Sequence, residues 1–394
     1  MAPYVPQPTY GKDLLAKFAA EFSDIAQNPL VCTQPEPWQL AKKQLPLESH
    51  VHFVDDVDHG ALKQRCEEFR KHNHTVVIGI GGGSALDTAK FASQQLNLAL
   101  VLCPSILSVD AGYTVAAGVR ETTINGSGKE KTSVVYVGDS RPTALLIDYN
   151  LLQAAPRVLN WSGIGDLLSC ATALWDWEEA QKINKEEYDD NIASRTRTLL
   201  EQLLAPKSAI EIRDVTEDGL HLLSELYVEE VTLCEMWGNA RCEEGSEHYV
   251  AYALEDLTGR HYLHGQLIAL CVIIVGTYQG QDMQPVVDYV RSIGLDCSFK
   301  AVGATREEFY KVLTTMGDFV KSEPQLLPGV FHFRGSVDSD AANALLDMVE
   351  SAFMPMQSPE CEECLPVPCD SDQWWACTRC RRRKLGSRKF GFGL

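Results

Sequence analysis

The stretch Thr75-Val76-Val77-Ile78-Gly79-Ile80-Gly81-Gly82-Gly83-Ser84-Ala85-Leu86-Asp87-Thr88-Ala89-Lys90 constrains this chain more than any other. A β-branched run feeds three consecutive glycines, then Ser84 and a segment of good helix formers. At such a junction the first turn of the helix presents free backbone N–H groups and its positive dipole end, a ready site for a phosphate. Glycine suits the turn because a Cβ would hold the phosphate off and bar left-handed dihedral angles. The spacing is neither the G-x-G-x-x-G of the common dinucleotide fingerprint nor the G-x-x-x-x-G-K-[ST] of a P-loop. A plain strand-to-helix turn is the competing reading.

The segments around this loop alternate in type. Leu30 to Thr33, Thr75 to Ile78, Leu98 to Leu102, Ser133 to Val137 and Ala144 to Asp148 read as strands, with helical patterns such as Ala61, Leu62, Cys66 and Phe69 between them. That alternation predicts a largely parallel sheet, with ligands at the carboxyl ends of its strands. Beyond about Leu159 the strand signals stop, and helical patterns run over 166–180, 188–204, 217–237, 246–257, 267 onward, 306–321 and 338–354. The expected organisation is an α/β domain over 1–158 that carries the glycine loop, an all-α domain over 159–354 and a Cys-rich basic tail over 355–394, with the active site between the two domains.

A formal charge of −19 argues against nucleic acid or an anionic membrane as the main partner. The apolar run Leu267 to Val275 is too short to span a bilayer and reads as a buried helix. Met1 to Pro6 lack the basic-then-apolar pattern of a secretion signal, so the expected location is the cytoplasm. Further copies of the chain are the expected macromolecular partners. Of the 13 cysteines, those before residue 300 are scattered singly and read as small core residues of a reducing compartment.

Three places in the helical half offer metal-ligand side chains: Asp166 in Gly163-Ile164-Gly165-Asp166, His248 in Gly245-Ser246-Glu247-His248, and His264 in His264-Gly265-Gln266. One carboxylate and two imidazoles suit a divalent catalytic metal with positions left open for substrate or water. Taken singly, Asp166 also reads as a helix cap, His248 as a surface residue and His264 as a packing residue. Spacing alone does not make them converge.

The order of Gly81-Gly82-Gly83-Ser84, Pro104-Ser105-Ile106-Leu107-Ser108-Val109-Asp110-Ala111-Gly112, Gly163-Ile164-Gly165-Asp166, Ser246-Glu247-His248 and His264-Gly265 resembles the sn-glycerol-1-phosphate dehydrogenase branch of the iron-containing alcohol dehydrogenase and dehydroquinate synthase-like superfamily. The resemblance covers roughly residues 10 to 350. It implies that Gly81, Gly82, Gly83, Ser84 and Asp87 surround the pyrophosphate of NAD or NADP, with Ser105, Ser108 and Asp110 nearby. It implies that Asp166, His248 and His264 hold zinc, or else nickel or iron. The implied activity is a metal-dependent, NAD(P)-linked oxidoreductase that reduces dihydroxyacetone phosphate or a related small ketone or polyol phosphate, in phospholipid metabolism, with Asp110 as a catalytic residue. His261, three residues before His264, is a candidate catalytic proton relay, or else a loop histidine with no role. Departures from the family pattern are Ser105 for a frequent Thr, Ala111 before Gly112, Tyr252 for a second His four residues after His248, and Gln266 for a charged residue.

Two other functions use the same residues differently. A dehydroquinate synthase-like cyclase would employ the nucleotide and metal without net cofactor turnover, and a non-catalytic scaffold would work through its tail. Lys129 and Lys131 are candidate phosphate contacts, or else a solvated turn. Thr33-Gln34-Pro35-Glu36, at the end of the first expected strand, leaves the choice between NAD and NADP open. In the tail, Cys361, Cys364, Cys377 and Cys380 form two C-x-x-C pairs whose spacing suits a structural zinc, and Arg381 to Lys384 could touch nucleic acid.

Overall fold

The computed structural model describes residues 4–22, 26–45, 49–124 and 130–353. The cysteine-rich tail and Lys129 lie outside the described residues, as does the side chain of Lys131.

Six strands form one parallel sheet: β1 (Pro8–Gly11), β2 (Pro29–Thr33), β3 (His50–Phe53), β4 (Val76–Gly81), β5 (Ala99–Pro104) and β8 (Ala144–Asp148), in the spatial order β1-β8-β5-β4-β2-β3. The central strands are continuous apolar runs because helices cover both faces of the sheet: Leu30, Val31 and Cys32 on β2 and Val76, Val77, Ile78 and Ile80 on β4 are all buried. Gly79 lets the following helix, Gly83–Leu96, pack tightly on β4, since a Cβ there would stand 2.7 Å from that of Ala89. The glycine loop therefore opens at the carboxyl end of a central strand.

One expected member of the sheet lies elsewhere. The Ser133–Val137 run belongs to β7 (Glu130–Val137), which pairs antiparallel with β6 (Ala117–Ile124) in a separate hairpin. Its burial explains the difference. Val135 and Val137 pack on the core while Val134 and Tyr136 face solvent, the period-two pattern of a strand covered on one face. The edge strands β1 and β3 were not expected from the sequence, for they are four residues long and mix polar with apolar side chains.

After β8 no strand occurs among the described residues. The helices that matter for the site are Ile164–Asn184, Glu217–Trp237, Ser246–Thr258 and His264–Gln279. In the last of these every residue from Gly265 to Gly276 is buried, so it carries no polar face. Among the described residues, no helix is long and apolar enough to cross a membrane. The cysteines before residue 300 are all free thiols, and only Cys234 among them is not fully buried.

Candidate active site

Three glycines bring distant segments to one point. A Cβ on Gly163 would overlap the carbonyl oxygen of Leu107, one on Gly165 the carbonyl oxygen of Gly265, and one on Gly265 the carbonyl oxygen of Ser162. The loop after β5 and the first turns of the Ile164–Asn184 and His264–Gln279 helices thus meet backbone to backbone. Hydrogen bonds fix the junction: Tyr227 Oη donates to the Gly163 carbonyl at 2.6 Å, and Leu107 N–H donates to Asn160 Oδ1 at 3.0 Å.

Asp166, His248 and His264 each sit in the first turn of a helix, and the structure brings all three together, with one ligand atom of each within 4.8 Å of the others. Asp166 is not a cap, because Gly163 holds that position, and His248 is not a surface residue, being 4 % exposed. His264 Nε2 stands 3.4 Å from Asp166 Oδ1, which is buried and accepts no hydrogen bond. A buried carboxylate oxygen without a donor is costly, and a bound cation would relieve it.

The neighbours prepare the triad for that cation. Glu247 is fully buried; its Oε1 accepts from His248 Nδ1 at 2.9 Å and from Gly245 N–H at 2.6 Å, and its Oε2 accepts from Thr172 Oγ1 at 2.6 Å. The Glu247 carboxylate thereby keeps the proton on Nδ1 and turns Nε2 outward as a ligand. Burial, aided by the charges of Asp110 and Glu244, pushes the Asp166 carboxyl up to about 8. Burial and the neighbouring His248 hold His264 down to about 3. At His248 burial opposes protonation, but the Glu247 hydrogen bond and the charges of Glu244, Glu247 and Asp166 outweigh it and raise the imidazole to about 9. The donor set of one carboxylate and two imidazoles fits zinc, nickel or iron alike.

This sequence and fold have known relatives. Residues 38–156 match the model of the family described as iron-containing alcohol dehydrogenase. The glycerol-1-phosphate dehydrogenase [NAD(P)+] of Sulfurisphaera tokodaii is 31% identical over 273 residues, which is 68% of this chain and 72% of that protein. The chain belongs to the iron-containing alcohol dehydrogenase superfamily, in its glycerol-1-phosphate dehydrogenase branch. The enzyme of the same name from Metallosphaera sedula is 31% identical over 270 residues, 67% of this chain and 73% of that one. Solved structures share the fold at lower identity. A probable glycerol dehydrogenase from Sinorhizobium meliloti superposes with a TM-score of 0.66 at 18% identity, over 89% of this chain and 99% of that one. A sulfoacetaldehyde reductase from Bifidobacterium kashiwanohense, solved with NAD+, gives 0.62 at 15% identity, over 89% and 98%.

The other residues singled out in this family member fall into two groups. Around the loop, Gly81 closes β4 at a φ of +155°, where a Cβ would strike Gln34 and Ala85, and Gly82 caps the helix that Gly83 and Ser84 open. Ser105 N–H donates to the Gly81 carbonyl at 2.9 Å, and Ser108 is buried beside the Gly265 backbone. Asp87 accepts from Lys90 Nζ at 3.1 Å, and that ammonium is fully buried with two further acceptors, Thr114 Oγ1 and the Ala116 carbonyl. Asp110 opens a short 3-10 turn at Asp110–Gly112; burial raises it to about 6, and it lies within the electrostatic reach of Lys90, Asp87 and His248.

Toward the rim, His261 is 54 % exposed and its Nδ1 faces Glu255 Oε1 at 3.8 Å. Two of the departures have structural partners. Tyr252 Oη donates to Glu244 Oε1 at 2.8 Å, and Gln266 Nε2 donates to the Asp296 carbonyl at 2.7 Å. Sequence reasoning missed Glu243, whose Oε1 stands 3.7 Å from His248 Nε2; at Gln34, already singled out for the nucleotide choice, the structure adds a buried Oε1 with no hydrogen-bond donor. Sequence reasoning also passed over the role of Glu247, although adjacency to His248 was a signal for it.

Proposed function

We propose that this protein is a metal-dependent, NAD(P)-linked oxidoreductase that interconverts a small ketone and its alcohol, with dihydroxyacetone phosphate or a closely related polyol phosphate as substrate. The observation that carries the reading is the convergence of Asp166, His248 and His264, with a buried Asp166 oxygen that lacks a donor. These three residues would hold zinc, or else nickel or iron, and the bound ion would polarise the substrate carbonyl as a Lewis acid.

The chain's own residues do the rest. Gly81, Gly82, Gly83 and Ser84 leave the first turn of the Gly83–Leu96 helix open to the pyrophosphate. Lys90 neutralises Asp87, so that this carboxylate can stand beside a phosphate without repelling it. Gln34 offers its free Oε1 to a ribose hydroxyl; being uncharged, it neither demands nor repels a 2′-phosphate. Asp110, raised to about 6 by burial and within the electrostatic reach of both the loop and the metal ligands, is the acid in reduction when protonated and the base in oxidation when ionised. His261, exposed at the rim beside Glu255, is a second candidate proton carrier.

The test follows NADH and NADPH oxidation with dihydroxyacetone phosphate after chelation and after return of Zn²⁺, Ni²⁺ or Fe²⁺. Activity restored by metal in the native chain and absent from His264→Ala is the expected result. Product formed with no net NADH consumption would replace the reductase by the cyclase, and failure to bind either nucleotide would end the enzyme reading.

A further inference from the structure

Behind the triad lies a second group of metal-ligating side chains that the proposed reaction leaves unused. We infer that Glu230, Cys234 and Glu243 form a second metal site, of the kind that takes Zn²⁺, adjoining the Asp166–His248–His264 corner. One ligand atom from each lies within 4.8 Å of the other two. Glu230 and Cys234 are one helical turn apart on the Glu217–Trp237 helix, which puts both on one face. Glu243 reaches the same point from the connection between Gly238 and Gly245.

A second observation points to an occupant. Glu230 is only 2 % exposed and its Oε2 has no hydrogen-bond partner. A buried carboxylate in that state is relieved either by a proton or by a cation. The sulfur of Cys234, a soft donor within the group, favours the cation. Cys242 Sγ lies 3.6 Å from Cys234 Sγ. Cys242 stands outside the group of mutually close ligand atoms, and its thiol is a hydrogen-bonding neighbour of the Cys234 sulfur. Mixed thiolate and carboxylate donors exclude the all-oxygen preference of magnesium and calcium and match zinc.

Loading the site would displace to solvent the Cys234 thiol proton together with the protons that burial keeps on Glu230 and Glu243. It would also tie the Gly238–Gly245 connection, which leads directly into Glu247 and His248, to the Glu217–Trp237 helix. Glu243, 3.7 Å from His248 Nε2, stands between the two groups of ligands.

The experiment counts metal and does not depend on turnover, so its failure would leave the reading of the triad untouched. The full chain carrying Ser at Cys361, Cys364, Cys369, Cys377 and Cys380 is loaded with Zn²⁺ under reducing conditions, and bound zinc is measured by plasma mass spectrometry. Two equivalents per chain are expected, falling to one in Cys234→Ser, in Glu230→Gln and in His264→Ala. Loaded with Co²⁺, the His264→Ala chain should keep a thiolate-to-cobalt absorption band that Cys234→Ser lacks. Glu230→Gln preserves the shape of the buried side chain and serves if Cys234→Ser fails to fold. A single equivalent in the parent with no sulfur–cobalt band, or wild-type stoichiometry in both Cys234→Ser and Glu230→Gln, would overturn the site and leave a proton on Glu230 as the explanation.

Discussion

The glycine loop and the metal corner are built in opposite ways. The loop is a single run of chain whose strand, turn and helix follow one another, and its shape is set by local dihedral angles such as the positive φ of Gly81. The corner takes one ligand from each of three helices and is held where main chain meets main chain at Gly163, Gly165 and Gly265. A local device can be damaged without moving its surroundings. A convergent one fails when any of its arms shifts.

That contrast is sharpest at Gly165. Gly165→Val pushes carbon into the Gly265 carbonyl, and overpacking of this kind costs about 1–3 kcal/mol or more. Bound metal and catalytic activity should both vanish and the melting temperature should fall; a variant that kept its metal would show that the backbone contact does not define the corner. Glu247→Gln is a gentler probe of the same side. It removes the carboxylate that fixes the His248 tautomer, so metal affinity should drop about 10- to 100-fold while nucleotide affinity, followed by NADH fluorescence, stays unchanged.

Gly81→Ala reverses the pattern. An L-residue forced into this conformation costs roughly 1–3 kcal/mol, and nucleotide affinity should weaken about tenfold with metal content intact. Loss of metal in this variant would break the separation between the two regions.

The smallest effect is expected at Asp110, which lies between them. Its carboxyl is raised to about 6 by burial, so it is protonated below that pH and ionised above it. Ketone reduction, which needs the proton, should slow as pH rises through about 6, and alcohol oxidation, which needs the base, should slow as pH falls through the same point. Asp110→Asn should remove that limb from both profiles while leaving metal binding in place. Profiles unchanged by the substitution would exclude Asp110 as the proton carrier.

What the sequence revealed follows the same division. Continuous apolar runs disclosed β2, β4, β5 and β8, and Glu217 to Trp237 carried a helical period that the structure matches at both ends. The hairpin misled because Ser133 to Val137 is β-branched whichever sheet it joins; only the alternation of buried Val135 and exposed Tyr136 tells the two apart. At the site, the ligand types were visible one by one, but nothing in Asp166, His248 or His264 reveals a shared vertex. The signal was in the glycines before Asp166 and after His264, each of which leaves room for another segment rather than for its own turn. Glu230 and Glu243 were illegible for a different reason. Acidic residues on helices and loops are ordinarily solvated, and only tertiary packing buries Glu230 and partly buries Glu243.

The backbone contacts at Gly163, Gly165 and Gly265 have a bearing on how such a protein can change over time. A frame clamped by carbonyls and α-carbons makes few demands on the identity of neighbouring side chains, provided that those three positions gain no carbon. Tyr252, Glu244 and Gln266 can therefore drift while descendants inherit an unaltered anchor for the metal.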